Sequence, residues 1–143
     1  MSTPGYDPNN VFAKILRGEL PSAKVFEDDN VLVIMDVMPQ AEGHALVIPK
    51  AVSRNILDIG AADLTHAILA VQRVARAVKE AFNVPGVLVK QFNEPAAGQT
   101  VFHTHFHVIP CREGVPLKPH TGGMADGRVL AGHAERIRAA LEG

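Results

Sequence analysis

One long amphipathic stretch, set between short apolar runs, most strongly limits the folds open to this chain. Between residues 63 and 82 apolar side chains recur every three or four positions, which predicts a long helix with one buried face. The flanking apolar runs are short and separated by turn-forming residues, which is typical of strands joined mainly by tight loops. Such strands pair antiparallel, whereas each parallel pair needs a crossover connection. The pattern therefore predicts an α+β domain with an antiparallel sheet.

The remaining segments fit one domain of this class. At 143 residues the chain has the length of a single domain, and it can bury a core without a disulfide framework. Shorter helices are predicted at 11–16, where Asn9 or Asn10 can cap the first turn, and at 130–141, after an irregular arm. The predicted strands are 24–27 and 31–35, which form a hairpin, followed by 44–49, 87–92 and 101–109.

Charge and cysteine content exclude several classes of protein. A formal net charge of -1 argues against a general nucleic-acid binder, which needs a strongly basic face. Cys111 is the one cysteine, so no internal disulfide can form, which fits a reducing compartment. Neither a secretory signal nor an apolar run of about 18 residues is visible, so we expect a cytoplasmic protein with no membrane partner.

Three histidines alternate with other residues in the last predicted strand: His103, His105 and His107. Side chains two positions apart on a strand share a face, so the three imidazoles are predicted on one side, with Thr104 and Phe106 on the other. Histidine is not a preferred strand residue, and folding alone does not explain the repeat. The row therefore indicates a functional site.

Two kinds of chemistry fit such a row. Neutral imidazole is a common Zn²⁺ ligand, but the outer two histidines are about 13 Å apart along a strand, so two of them share an ion far more easily than three. Imidazole can also attack phosphorus while neighbouring rings hold phosphate oxygens and supply a proton. The upstream loop Gly98-Gln99-Thr100 favours the phosphate chemistry, because it offers a flexible backbone and a hydroxyl.

The stretch from His103 to Ile109 resembles the motif of the histidine triad family, in which histidines alternate with apolar residues. Thr104 is the one departure from the apolar positions. The resemblance extends in order over residues 10–112, and 113–143 forms a variable arm and C-terminal helix. The further matching blocks are 11–15, 18–21, 39–50, 93–94 and 98–100, with Asp36 at the end of the hairpin.

The resemblance implies a nucleotide site with a role for each matching residue. His105 would be the nucleophile at the α-phosphorus, His107 would contact the phosphate, and His103 and His44 would orient the nucleophile. Asp36 would bind the ribose hydroxyls. The other matches form a base pocket, from Phe12, Ile15, Ile34 and Val37, and a phosphate or leaving-group site, from Asn93, Gly98, Gln99 and Thr100.

The resemblance also implies an assembly and a substrate class. Family members are homodimers in which two five-stranded antiparallel sheets join into a ten-stranded sheet. The implied activity is hydrolysis of nucleoside monophosphate conjugates, such as an adenosine phosphoramidate or a dinucleoside polyphosphate, through a nucleotidyl-histidine intermediate. The alternative is a catalytically weak purine-nucleotide-binding module that acts through a protein partner. No cofactor is expected.

Residues that depart from the family, or lie outside its motif, complete the prediction. Many bacterial members bind a structural zinc ion through a Cys-x-x-Cys pair and two histidines, whereas this chain has Asn10 and Ala13 at the cysteine positions. Without thiolates the histidine pair is a poor zinc site, and no metal is predicted. His66, His120 and His133 are predicted to be ordinary surface residues.

Overall fold

Five strands and three α-helices form an α+β fold in a computed structural model that describes residues 5–120 and 123–143. The strands make one antiparallel sheet in the order β1-β2-β3-β5-β4. The predicted fold class and elements are confirmed, with some element ends shifted. In chain order the elements are α1 (Val11–Leu16), β1 (Lys24–Glu27), β2 (Val31–Met35), β3 (Ala45–Pro49), α2 (Ala61–Ala81), β4 (Gly86–Lys90), β5 (Phe106–Cys111) and α3 (Gly127–Glu142).

The sheet separates two apolar layers. On one face, α2 and α3 cover strand residues such as Val47 and Val108. On the other face, α1 covers a smaller cluster that includes Leu46. Leu46 lies opposite His107 in the β3–β5 ladder, and directly opposed residues point to the same side of a sheet. His107 therefore lies on the α1 side, while α2 and α3 support the sheet from behind.

The last strand begins five residues later than the sequence predicts, at Phe106. Its partner β3 ends at Pro49, which has no N–H for the ladder. The N–H of Thr104 instead donates to the carbonyl of Ser53, at 3.0 Å. Of the three alternating histidines only His107 lies within a strand, so the prediction that one strand carries all three is wrong.

Side chains cap the N-termini of α1 and α3. Asn10 caps α1, since its side-chain oxygen accepts the Ala13 N–H at 2.9 Å, and Asp126 caps α3 in the same way. Gly18 follows α1 with a φ of +79°, a conformation that glycine adopts freely. Across residues 5–120 and 123–143 no helix is long and apolar enough to cross a membrane.

The arm between β5 and α3, residues 112–126, binds the loop between β2 and β3. The N–H of Lys118 donates to the Gln40 carbonyl at 2.8 Å, and the Gln40 side chain donates back to the Lys118 carbonyl at 3.1 Å. Further along, the N–H of Ala125 donates to the Val37 carbonyl at 2.8 Å. These bonds hold the described part of the arm beside His44, whose ring accepts the N–H of Gln40.

Candidate active site

His105 presents a ring nitrogen that carries no proton. Its Nδ1 lies 2.6 Å from the carbonyl oxygen of His103. A carbonyl can only accept, so Nδ1 carries the proton and donates it. The lone pair of the neutral ring is therefore on Nε2. Phe12 packs edge-on against the ring, with 4.7 Å between centroids, and this contact holds the ring plane.

The same reasoning fixes the protons of His44 and His107. The backbone N–H of Gln40 donates to Nδ1 of His44 at 3.0 Å, so neutral His44 carries its own proton on Nε2. That Nε2 lies 2.9 Å from Nδ1 of His107, which must accept. His107 consequently carries its proton on Nε2 and can donate it to an anionic oxygen. Its ring lies 5.2 Å from that of His105, so an unprotonated ring nitrogen and an N–H donor lie on neighbouring rings.

His103 contacts His105 through its backbone and uses its own ring elsewhere. Its Nε2 donates to the Pro49 carbonyl at 2.7 Å, and its Nδ1 accepts from the Tyr6 hydroxyl at 2.6 Å. The ring packs on Tyr6, with 5.6 Å between centroids, and His103 reaches His105 through its backbone carbonyl. Both ring nitrogens of His103 are therefore in use, and its carbonyl fixes the orientation of the His105 ring.

Burial favours the neutral form of these four imidazoles. It lowers the pKa of His44 to about 4. It also lowers the pKa of His107 to about 2, with a further contribution from the charges of neighbouring histidines and Lys90. Burial likewise lowers the pKa values of His103 and His105. The lone pair of His105 is thus available at neutral pH.

Neutral buried histidines make the stability of the fold fall in acid. A group whose pKa is lower in the folded chain takes up a proton on unfolding, so stability decreases as the pH falls below about 6.5. We expect His44 and His107 each to cost about 1.4 kcal/mol of unfolding free energy per pH unit between about pH 6.5 and 4.5. His44 contributes down to about pH 4, and His107 down to about pH 2. Urea denaturation at a series of pH values measures this slope, and a flat profile contradicts it.

Asp36 lies inside the histidine cluster, where only 3% of the residue is exposed. Its Oδ2 accepts from Nε2 of His120 at 2.7 Å and lies 3.4 Å from Nε2 of His44. Its Oδ1 accepts the N–H of Met38 at 2.9 Å. A ribose hydroxyl would have to use the remaining lone pairs of this carboxylate or displace His120.

The position of His120 corrects the sequence-based prediction. It was expected on the surface, but the arm folds its ring against His44 and His107, with centroid distances of 5.8 and 5.7 Å. His120 and Asp36 are 84 positions apart in sequence and no periodic pattern leads to the residue, so local signals could not find it. Of the other two, His66 is exposed as predicted. His133 is half-buried and packs edge-on against Phe82 at 5.2 Å, which also differs from the prediction.

Asp36, His44 and His107 also bring three ligand-type atoms together. Oδ2 of Asp36 is 3.4 Å from Nε2 of His44 and 3.9 Å from Nδ1 of His107, and these nitrogens are 2.9 Å apart. A point equidistant from the three atoms lies about 2.0 Å from each, which is a typical Zn²⁺ bond length. The hydrogen bond from Gln40 opposes this use, because a metal on Nε2 of His44 would put its proton on Nδ1, facing an N–H. We therefore keep the prediction that no metal is bound.

This chain has Asn10 and Ala13 at the two positions where the family resemblance implies zinc-binding cysteines. Asn10 uses its side chain to cap α1, and its partner position is the buried Ala13. The ring of His103 is not available either, because both of its nitrogens are engaged by Tyr6 and Pro49. These residues do not fit a structural zinc ion.

The residues predicted to line a base pocket lie on the α1 side of the sheet. Phe12 and Ile34 are buried in one apolar cluster, and Ile15 is partly buried against it. Val37, just after the hairpin, is 38% exposed. Because Phe12 also contacts His105, this apolar surface adjoins the His105 ring.

In the loop predicted to hold phosphate, some side chains are hydrogen-bonded within the protein and other residues are exposed. Gln99 is buried, and its side chain makes four hydrogen bonds, to Glu94, Asn55, Arg54 and Val101. Asn93 is engaged in the same manner, by the N–H of Ile56 and the side chain of Gln91. The side chains of both residues hold the loop together. Gly98, with a φ of +98°, and Thr100 are exposed, and the N–H of Gly98 donates to the Pro95 carbonyl at 3.0 Å.

Glu94 holds this loop in a conformation that non-glycine residues rarely adopt. Its φ is +79° and its ψ is 157°. The carboxylate accepts from Arg54 at 2.8 and 3.0 Å and from Asn55 at 2.6 Å. Sequence analysis missed Arg54 and Asn55, because their partners lie about 40 residues away and no motif marks them.

Known proteins of one family resemble this chain in sequence and in structure. A family model described as HIT domain matches residues 17–114. The hit protein of Bacillus subtilis is 40% identical over 102 residues, which are 71% of this chain and 70% of that protein. The adenosine 5'-monophosphoramidase of Saccharomyces cerevisiae is 40% identical over 115 residues, which are 79% of this chain and 70% of that protein. A crystal structure of a HIT-like protein from Bartonella henselae is 51% identical, with a TM-score of 0.89 over 95% of this chain and 99% of that chain.

Proposed function

The chain belongs to the HIT family, and from this premise we propose that it is a hydrolase that splits nucleoside monophosphate conjugates at the α-phosphorus. The observation that most supports the proposal is the lone pair on Nε2 of His105 beside the N–H of His107. The proposed substrates are adenosine phosphoramidates and dinucleoside polyphosphates. A relative in yeast that is named an adenosine 5'-monophosphoramidase supports the first class.

The proposed reaction has two displacements at phosphorus. Nε2 of His105 forms a bond to the α-phosphorus as the bond to the leaving group breaks, and water then splits the nucleotidyl-histidine intermediate. The intermediate carries a substituent on Nε2 and a proton on Nδ1, so its ring is positively charged. The carbonyl of His103, 2.6 Å from Nδ1, stabilises that charge. The N–H on Nε2 of His107 stabilises the charge that develops on a phosphate oxygen.

The proposed nucleotide lies along the α1 side of the sheet. Its base contacts the apolar surface of Phe12, Ile15, Ile34 and Val37. Its phosphate is held by the hydroxyl of the exposed Thr100, and the exposed Gly98, which has no side chain, lets the phosphate approach the loop closely. Asn93 and Gln99 act through the shape of that loop, because their side chains are engaged within the protein.

Release of AMP from a panel of conjugates tests the proposal. The panel contains a lysine-adenosine phosphoramidate, diadenosine triphosphate and tetraphosphate, and a nucleotide sugar, and the product is measured by chromatography. We expect turnover of the phosphoramidate or of a dinucleoside polyphosphate. AMP binding without turnover of any conjugate would instead identify a nucleotide-binding module and would overturn the hydrolase proposal.

We also propose that two copies pair through β4 into a ten-stranded sheet. β4 is an edge strand, so one side of its backbone lacks a strand partner among the described residues. It carries the exposed Leu88 and Val89, and α2 exposes Ile68 and Leu69. Exposed apolar side chains beside an open strand edge favour burial against another chain. The molar mass in solution, measured by light scattering, tests this pairing.

A further inference from the structure

His120 is the imidazole through which the histidine cluster meets solvent. Its side chain is 37% exposed, whereas those of His44 and His107 are 0% and 6% exposed. It reaches the cluster by a 2.7 Å hydrogen bond from Nε2 to Oδ2 of Asp36 and by ring contacts with both of those histidines. The ring thus belongs to the site and can also exchange protons with water.

The arm holds His120 in this position with bonds of its own. Two residues earlier, Lys118 and Gln40 exchange a pair of hydrogen bonds. Gln40 is fixed in turn, because its side-chain oxygen accepts from Lys90 at 2.6 Å and its N–H donates to His44. The same residue therefore positions both His44 and the segment that carries His120.

The proposed reaction needs a proton donor for the leaving group, and none of the four buried histidines, His44, His103, His105 and His107, has been given that role. When the bond from phosphorus to an amine breaks, the leaving nitrogen needs a proton. His105 is the nucleophile and holds a lone pair, while the proton of His44 is directed at His107. Burial favours the neutral form of these rings, so none of them stores a second proton at neutral pH.

We propose that His120, paired with Asp36, is the general acid that protonates the leaving group, an inference that rests on the proposed hydrolase function. The N–H on Nε2 of His120 remains hydrogen-bonded to the Asp36 carboxylate throughout, as in other aspartate–histidine pairs. The second proton, on Nδ1, is the one that is transferred. The Asp36 carboxylate, 2.7 Å from Nε2, keeps the ring oriented during the transfer.

The proton balance closes over one turnover. As Nε2 of His105 bonds to phosphorus, the bond to the leaving nitrogen breaks, and that nitrogen keeps the electron pair and takes the proton from Nδ1 of His120. Neutral His120 then accepts a proton from the water that attacks the intermediate. The bond between phosphorus and Nε2 breaks, its electron pair returns to His105, and the nucleoside monophosphate leaves. Both histidines end as they began.

Two AMP conjugates that differ in their need for a proton test this role. One is an alkylamine phosphoramidate, whose leaving amine must be protonated, and the other is the p-nitrophenyl ester of AMP, whose leaving phenolate is stable without a proton. We expect His120→Ala to lower kcat for the phosphoramidate about 10²- to 10³-fold, and kcat for the nitrophenyl ester by less than about threefold. His120→Gln, which can still donate to Asp36 but cannot transfer a proton, is expected to show the same selective loss.

Controls separate this role from a structural one. His66→Ala removes an exposed histidine on α2 and is expected to change neither rate. Equal losses on both substrates, or rescue by His120→Gln, would show that His120 only shapes the site and would overturn the inference. Faster turnover or tighter AMP binding by His120→Ala would show that the ring merely blocks Asp36, and would also overturn it. Failure of the wild type on both conjugates would overturn the hydrolase proposal itself, which is a different result.

Discussion

His105→Ala is expected to reduce the release of AMP from an adenosine phosphoramidate by at least about 10⁴-fold, the scale of losing a catalytic nucleophile. The variant keeps the carbonyl of His103 and the donor on His107, but it has no atom that can bond to phosphorus. Initial rates with the purified variant measure the loss. A rapid-quench experiment with labelled substrate adds a second measure, because protein-bound label forms in the wild type and not in the variant.

We expect His105→Ala to lose turnover while the fold and the nucleotide pocket persist. Only 8% of His105 is exposed, so the substitution leaves a cavity beside Phe12 and costs stability, by about 1–3 kcal/mol. Circular dichroism and AMP binding show whether the fold and the pocket persist. Turnover that survives in a folded His105→Ala protein would mean that another group attacks phosphorus, and the proposed mechanism would then fail.

Gly43→Ala is expected to lower the free energy of unfolding by about 2–5 kcal/mol, through a strained backbone and an overpacked core. The φ of Gly43 is +87°, and a Cβ there would lie 2.5 Å from Cε2 of Phe82. Phe82 cannot simply move away, because its ring also packs against His133 and under the guanidinium of Arg136. Denaturation in urea measures the change. Since His44 is the next residue, AMP release is expected to fall as well.

Two glycine variants separate the causes of that effect. Gly18→Ala introduces a Cβ at a φ of +79° with no atom within 4 Å, so it reports backbone strain alone. Gly132→Ala lies in α3 with no contact and an ordinary φ, and it is expected to be neutral or stabilising by up to about 1 kcal/mol. A Gly43→Ala loss no greater than that of Gly18→Ala would mean that the contact with Phe82 relaxes at no cost.

The parts of the fold that the sequence predicted are those in which burial leaves a local pattern. The stripe of α2 and the apolar runs of β2 and β3 repeat every few residues, so their type and approximate ends follow from spacing. The alternation of histidines placed His105 and His107 next to each other for the same reason. The predicted start of β5 was wrong because the ladder between β3 and β5 stops at the pair Val47 and Phe106. Further along β3, Pro49 has no N–H with which to extend the ladder.

The parts of the site that the sequence missed depend on contacts between distant residues. Asn93 and Gln99 look like phosphate ligands by motif, but their bonds to Ile56 and Arg54 span 37 and 45 positions and hold the loop together. His120 lies on an arm without periodicity, so its contact with Asp36 appears only in three dimensions. Residue type showed which chemistry was possible, and tertiary contacts decided which side chains were free to perform it.

The hydrogen bond between Tyr6 and His103 joins residues 97 positions apart, and that between Asp36 and His120 joins residues 84 apart. Closing such long loops costs chain entropy that only a largely assembled core repays. During refolding, the β1–β2 hairpin and α2 can form from residues close in sequence. The arrangement of the histidines forms only after the segments that carry Tyr6 and His120 have docked. We therefore expect the arrangement of the histidines to form last, after the spectroscopic signs of secondary structure are complete.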